Sequence, residues 1–192
     1  GPVPKPLGGT ALTDAVTGPT PLGIMKEGLA AGKTVQEIMP EIPDYVQQMM
    51  TGFQGGSLGE VSAFALILGA IYMLFRKIIT WHTPGAYIGS VVVFSGILWL
   101  VDPTLYVDPL FHLITGGMML GVFYMATDMV SSPMSAKGQL IFGAGAGILT
   151  ILIRVFGAYP EGVSFAILIM NAFVPIIDRG LKPKRFGEVV KS

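Results

Sequence analysis

Residues 14–20, Asp14-Ala15-Val16-Thr17-Gly18-Pro19-Thr20, put a carboxylate and two hydroxyls into one short stretch. Gly18 and Pro19 are turn formers, and a turn lets the Thr20 hydroxyl stand clear of the backbone, where an enzyme can esterify it. The stretch has no His and no Cys, so it shows no metal site and no catalytic pair. It reads either as a plain solvated turn or as a threonine for covalent modification. A second polar run, Gln54-Gly55-Gly56-Ser57-Leu58-Gly59-Glu60, precedes a long apolar segment. Ser57 and Glu60 have the spacing of a helix capping box. The same amides at a helix start would also suit an anionic or carbonyl ligand group. Asp108 and His112, four apart, share one helix face as a hydrogen-bonded pair or a proton or cation stopover. Asn171 lies between apolar neighbours and must find a partner or line a cavity.

Composition narrows what these residues can serve. Of 192 residues 52% are hydrophobic and 12% charged, against roughly 25% charged in soluble domains, and mean hydropathy is +0.66. This is the composition of a membrane protein. Twelve basic and twelve acidic residues leave no net charge, so nothing argues for nucleic acid. Without cysteine there is no thiolate for a zinc or iron–sulfur site within the chain. Two distant histidines make a poor haem site. An electron carrier here would have to be organic, and a flavin fits.

Five apolar segments supply the elements that must position these groups: residues 60–79, 84–101, 109–127, 139–157 and 162–177. Each is near the ~20 residues that a helix needs to cross ~30 Å of hydrocarbon. Three domains are therefore expected: a leading segment over 1–56, five membrane helices over 57–178, and a basic tail over 179–192. Residues 1–20 lack the apolar core of a cleavable signal peptide. Arg76, Lys77, Lys137, Arg179, Lys182, Lys184, Arg185 and Lys191 fall on one side, and Lys5, Lys26, Lys33 and Arg154 on the other. The positive-inside rule makes the first side cytoplasmic and places the leading segment and Thr20 outside. Within that segment, Thr34-Val35-Gln36-Glu37 has capping-box form, and Val35, Ile38, Met39, Ile42, Tyr45, Val46, Met49 and Met50 follow at roughly helical spacing. Pro40 and Pro43 predict that this helix is short or broken. Its apolar face would lie on the membrane surface or on the bundle. Gly85/Gly89, Gly117/Gly121 and Gly143/Gly147 are small-residue pairs that let helices approach closely in lipid. Pro175 should bend or end the last helix.

Taken in order, these segments resemble the RnfD protein of the bacterial Rnf complex, and are similar to its counterpart NqrB in the sodium-pumping NADH:quinone oxidoreductase. The resemblance rests on 14–20 followed by Pro21-Leu22-Gly23, and on Gly55-Gly56-Ser57-Leu58-Gly59-Glu60. Ile79-Thr80-Trp81, Phe111-His112-Leu113, Gly116-Gly117 and Thr127-Asp128 extend it. Ile153-Arg154, Tyr159-Pro160-Glu161-Gly162-Val163 and Pro175-Ile176-Ile177-Asp178 complete it. It implies an all-α integral membrane protein, about five helices forming the second, C-terminal half of an inverted-repeat-like bundle of about ten. The chain then reads as a fragment or a shortened relative. The resemblance further implies flavin mononucleotide esterified through its phosphate to Thr20, with Asp14, Thr17, Gly18, Ser57 and Glu60 as further cofactor-binding residues. It leaves room for a non-covalent riboflavin or a second flavin mononucleotide among the helices. The implied partners are a flavin transferase, the other Rnf-type subunits and the bilayer of the bacterial inner membrane. The implied task is electron relay coupled to Na⁺ or H⁺ export, with substrate chemistry elsewhere. Where the family pattern has Ala, this chain has Pro19. The competing readings are a channel or transporter half without a redox role, and a scaffold protein without cofactor.

Overall fold

The computed structural model describes residues 20–42 and 62–181, and every regular element among them is helical. Helix α1, Pro21–Ala30, starts where Thr20 is extended and its hydroxyl accepts from Gly23 N at 3.2 Å, with Pro21 in the first turn, where no amide is needed. Helix α2, Val35–Ile38, opens on the predicted capping box, Glu37 Oε2 accepting from Thr34 N at 2.9 Å. Pro40 turns its continuation into the 3₁₀ turn Met39–Glu41, so the helix is short, as expected of Pro40, while Pro43 lies outside the described residues. Leu22, Met25, Val35, Ile38 and Ile42 bury themselves with Val107 and Phe111. The described part of this amphipathic face thus packs on the bundle.

Helix α3 is Ala63–Phe75, α4 is His82–Val101, α5 is Pro109–Ile114 and α6 is Met118–Leu120, which passes directly into a π turn at Gly121–Met125. Helix α7 is Ala136–Phe156 and α8 is Val163–Gly180. Three of these, α4, α7 and α8, are long and apolar enough to cross a membrane. At 1.5 Å per residue their 20, 21 and 18 residues reach roughly 27–32 Å. The protein is therefore a multi-pass, all-helical membrane protein.

Two expected spans take a different form. The first, expected over 60–79, has only 13 helical residues and stops at Arg76, because Lys77 is left-handed at φ 55° and reverses the chain. The third, expected to run unbroken over 109–127, is discontinuous. Thr115 is extended and Gly116 has φ 69°, a left-handed conformation that a residue without Cβ adopts freely. Pro175 does not end α8, which carries it through to Gly180.

The core is the seam between α4 and α7. A Cβ built on Gly143 would stand 2.5 Å from Thr83 O, and one on Gly147 2.7 Å from Tyr87 O, so this pair does bring two backbones together. Gly85 and Gly89 do not: the first meets only the Trp81 ring and the second faces open space. Tyr87 and Val91 of α4, Phe142 and Ile151 of α7, Met118, Val122 and Ile167 form one buried cluster around the seam. Within it Thr150 Oγ1 donates to Ala146 O at 2.8 Å, so Tyr87 must be the donor of its 2.6 Å bond to Thr150. The outward faces stay apolar, with Phe75, Leu168 and Ile176 exposed, as lipid contact requires.

Candidate functional site

Of the residues expected to bind flavin, Thr20 lies among the described residues; Asp14, Thr17, Gly18, Ser57 and Glu60 lie outside them. Thr20 sits at the positive end of α1, where its hydroxyl already engages a backbone amide. The first turn of α1 rests on the helix break. A Cβ on Gly116 would stand 2.7 Å from Leu22 Cδ1 and 3.1 Å from Arg154 Nη2. Gly116 is therefore required both by its φ and by the closeness of its neighbours.

Beneath α1 lies a cavity of about 340 Å³, within the roughly 300–1,000 Å³ of small-molecule sites. Leu22, Met25, Leu29, Leu105, Phe111 and Phe156 give it mostly apolar walls, and Lys26, Tyr106, His112 and Arg154 supply polar groups. Arg154, in the last turn of α7, is 6% exposed. Its Nη1 donates to His112 O at 2.6 Å and its Nη2 to Thr115 O at 3.0 Å, so one guanidinium satisfies carbonyls that the break of α5 leaves without helical partners. Lys26 does the same for the C-terminus of α7. Its ammonium donates to Gly157 O and, at 2.8 Å, to Tyr159 O. Burial lowers the Lys26 pKa from its ordinary value. Two cations thus meet two helix C-termini, each favourable to the macrodipole, and one of them ties α1 to the bundle.

The expected Asp108–His112 pair does not form. Asp108 caps α5, its carboxylate accepting from Phe111 N at 3.3 Å. His112 is 6% exposed and its Nδ1 has no hydrogen-bond partner among the described residues. A buried, unsatisfied polar atom of this kind costs about 1–3 kcal/mol. Asn171 Oδ1 in α8 is also buried without a partner among the described residues. No group of three or more potential metal ligands occurs among the described residues.

The roles of Arg154 and Lys26 were not foreseen: Lys26 counted only as a charge, and Arg154 as a charge and as part of the motif Ile153-Arg154. An arginine inside an apolar segment was the available signal, because such a residue is costly unless it is paired.

Residues 3–187 match the model of a family described as NQR2, RnfD, RnfE. The chain is similar to the D-type subunit of the proton-translocating ferredoxin:NAD(+) oxidoreductase complex of Clostridium ljungdahlii, 44% identical over 177 residues, which is 91% of this chain and 52% of that protein. It is 43% identical over 178 residues to the D-type subunit of the Na(+)-translocating ferredoxin:NAD(+) oxidoreductase complex of Acetobacterium woodii, 92% of this chain and 51% of the relative. The D-type subunit of an ion-translocating oxidoreductase complex from Halorhodospira halophila is 36% identical over 179 residues, 93% and 50% of the two chains. The chain spans about half the length of the curated relatives it matches.

Proposed function

Because this chain belongs to the NQR2, RnfD, RnfE family, we propose that it serves as electron-relay machinery in an ion-translocating oxidoreductase complex of the ferredoxin:NAD type. In this reading Thr20 carries flavin mononucleotide through a phosphoester. A flavin transferase joins the flavin phosphorus to Thr20 Oγ1, which loses its proton, while the rest of an activated flavin donor departs. The chain performs no substrate chemistry of its own and works with other subunits of the complex, which exports Na⁺ or H⁺. It lies in the bacterial inner membrane with residues 1–56 outside and 179–192 in the cytoplasm, and it forms five crossings of a bundle of about ten.

The observation that carries the reading is the position of Thr20. Its hydroxyl stands at the start of α1, where the amide of Gly23 and the helix dipole favour a phosphate. Leu22, two residues on and roughly 3 Å along the helix axis, already lines the cavity. A flavin held there supplies one- and two-electron transfer, while the protein sets its position and surroundings. Asp14, Thr17 and Gly18 would present the threonine to the transferase, and Ser57 and Glu60 would contribute to the cradle.

A second reading, a solute-conducting half without redox work, draws on the discontinuous α5–α6 segment and the unpartnered Asn171. Intact mass separates the two. Wild type, Thr17→Ala and Thr20→Ala are each co-expressed with the transferase. Wild type should carry one flavin mononucleotide, Thr17→Ala the same adduct at lower occupancy, and Thr20→Ala none. An adduct that survives Thr20→Ala sinks the assignment, and its absence from wild type leaves the conducting half or the cofactor-free scaffold.

A further inference from the structure

The cavity beneath α1 contains charged groups that are already committed. Lys26 is held by Gly157 O and Tyr159 O, and Arg154 by His112 O and Thr115 O. The imidazole of His112 is not. It lines the cavity, its residue is 6% exposed, and Nδ1 lacks a partner among the described residues. Phe111, edge-on at 6.2 Å between ring centroids, and Asp108, spent on the Phe111 amide, offer it no hydrogen bond. An imidazole has to place a donor or an acceptor at each nitrogen, so this side chain leaves one unmet nitrogen, itself enclosed, within a residue of the cavity wall.

We propose that His112 is the hydrogen-bonding residue of a seat for a planar, mostly apolar ring with a polar edge, and that the ring is the isoalloxazine of the flavin borne by Thr20. The identity of the ring rests on that assignment. Leu22, Met25 and Phe111 would cover its faces, and its imide edge carries both carbonyl acceptors and an N–H donor, which suit either tautomer of His112. Lys26 and Arg154 stand among the residues that line the cavity, each held by backbone carbonyls.

The test uses the full chain in detergent, co-expressed with the transferase, as wild type, His112→Phe and His112→Gln. Loading is read by mass, and seating by iodide quenching of flavin fluorescence and by the flavin midpoint potential. Wild-type flavin should be shielded from iodide. His112→Phe should keep the flavin attached yet expose it and shift its potential, and His112→Gln, which restores a hydrogen bond, should recover most of the shielding. Unchanged quenching and potential in loaded His112→Phe overturn the role of His112. A second arm covers a chain that bears no flavin on Thr20. Thr20→Ala protein is titrated with free riboflavin, and His112→Phe on that background should weaken binding roughly fivefold, the worth of one neutral hydrogen bond. No saturable riboflavin binding to Thr20→Ala, together with iodide-accessible flavin in loaded wild type, overturns the seat itself. Thermal melts of both variants within a few degrees of wild type exclude misfolding as the cause.

Discussion

Replacing Arg154 by Met removes a guanidinium while keeping most of the apolar volume of its stem. The donors to His112 O at 2.6 Å and to Thr115 O at 3.0 Å go with it. Hydrogen bonds from a charged donor contribute about 1.5–3 kcal/mol each, so the pair is worth about 3–6 kcal/mol. Both carbonyls belong to the break after α5, and at 6% exposure water does not reach the site freely to replace the lost donors. In a chain of this size 1 kcal/mol moves a melting point by roughly 2–4 °C, so Arg154→Met should fall by about 6–24 °C. Arg154→Lys should land between, since an ammonium keeps the charge near the C-terminus of α7 but lacks the fork that reaches two carbonyls together. Melting of the detergent-solubilised chain, followed by Trp81 and Trp99 fluorescence and checked by size-exclusion retention, measures the effect. A Met variant that melts within about 2 °C of wild type would mean under about 1 kcal/mol at this site, and the account of Arg154 as the clasp of the helix break would be wrong.

Gly147→Ala puts a methyl 2.7 Å from Tyr87 O in the α4–α7 seam and should cost about 1–3 kcal/mol, whereas Gly180→Ala, with nothing within 4 Å, should be neutral or slightly stabilising. Equal melting points for the two variants would contradict the close approach of those helices. Lys26→Met removes the tie from α1 to Gly157 O and Tyr159 O, so limited proteolysis should cut within Pro21–Ala30 several times faster while the bundle stays intact. An unchanged cleavage rate would show that the apolar contacts of Leu22 and Met25 hold α1 without the lysine.

Much of this architecture is local and was legible in the residues alone. Apolar runs of membrane length anticipate α4, α7 and α8 to within a few residues, because burying backbone in lipid demands a helix wherever about twenty such residues stand together. Thr34 and Glu37 cap α2, and Pro40 breaks its continuation, because caps and missing amides act within one turn. The many short motifs in order also pointed to the family that the chain belongs to. The site was not legible in the same way. Hydropathy averages over a window, so three residues at Thr115-Gly116-Gly117 could break a predicted span without leaving a trace in that average. Gly143 and Gly147 face a neighbouring backbone while the equally spaced Gly85 and Gly89 do not, and spacing alone cannot tell such pairs apart. Arg154 looks like one more charge until the fold brings it to carbonyls 42 and 39 residues away. The cavity is likewise made by α1 lying across helix ends more than eighty residues further along the chain. Sequence by itself determined the solvent this protein lives in and where most of its helices run, because those follow from short-range chemistry; which of its polar groups face one another, and which are left waiting for a partner, was decided only when distant helix ends were packed together.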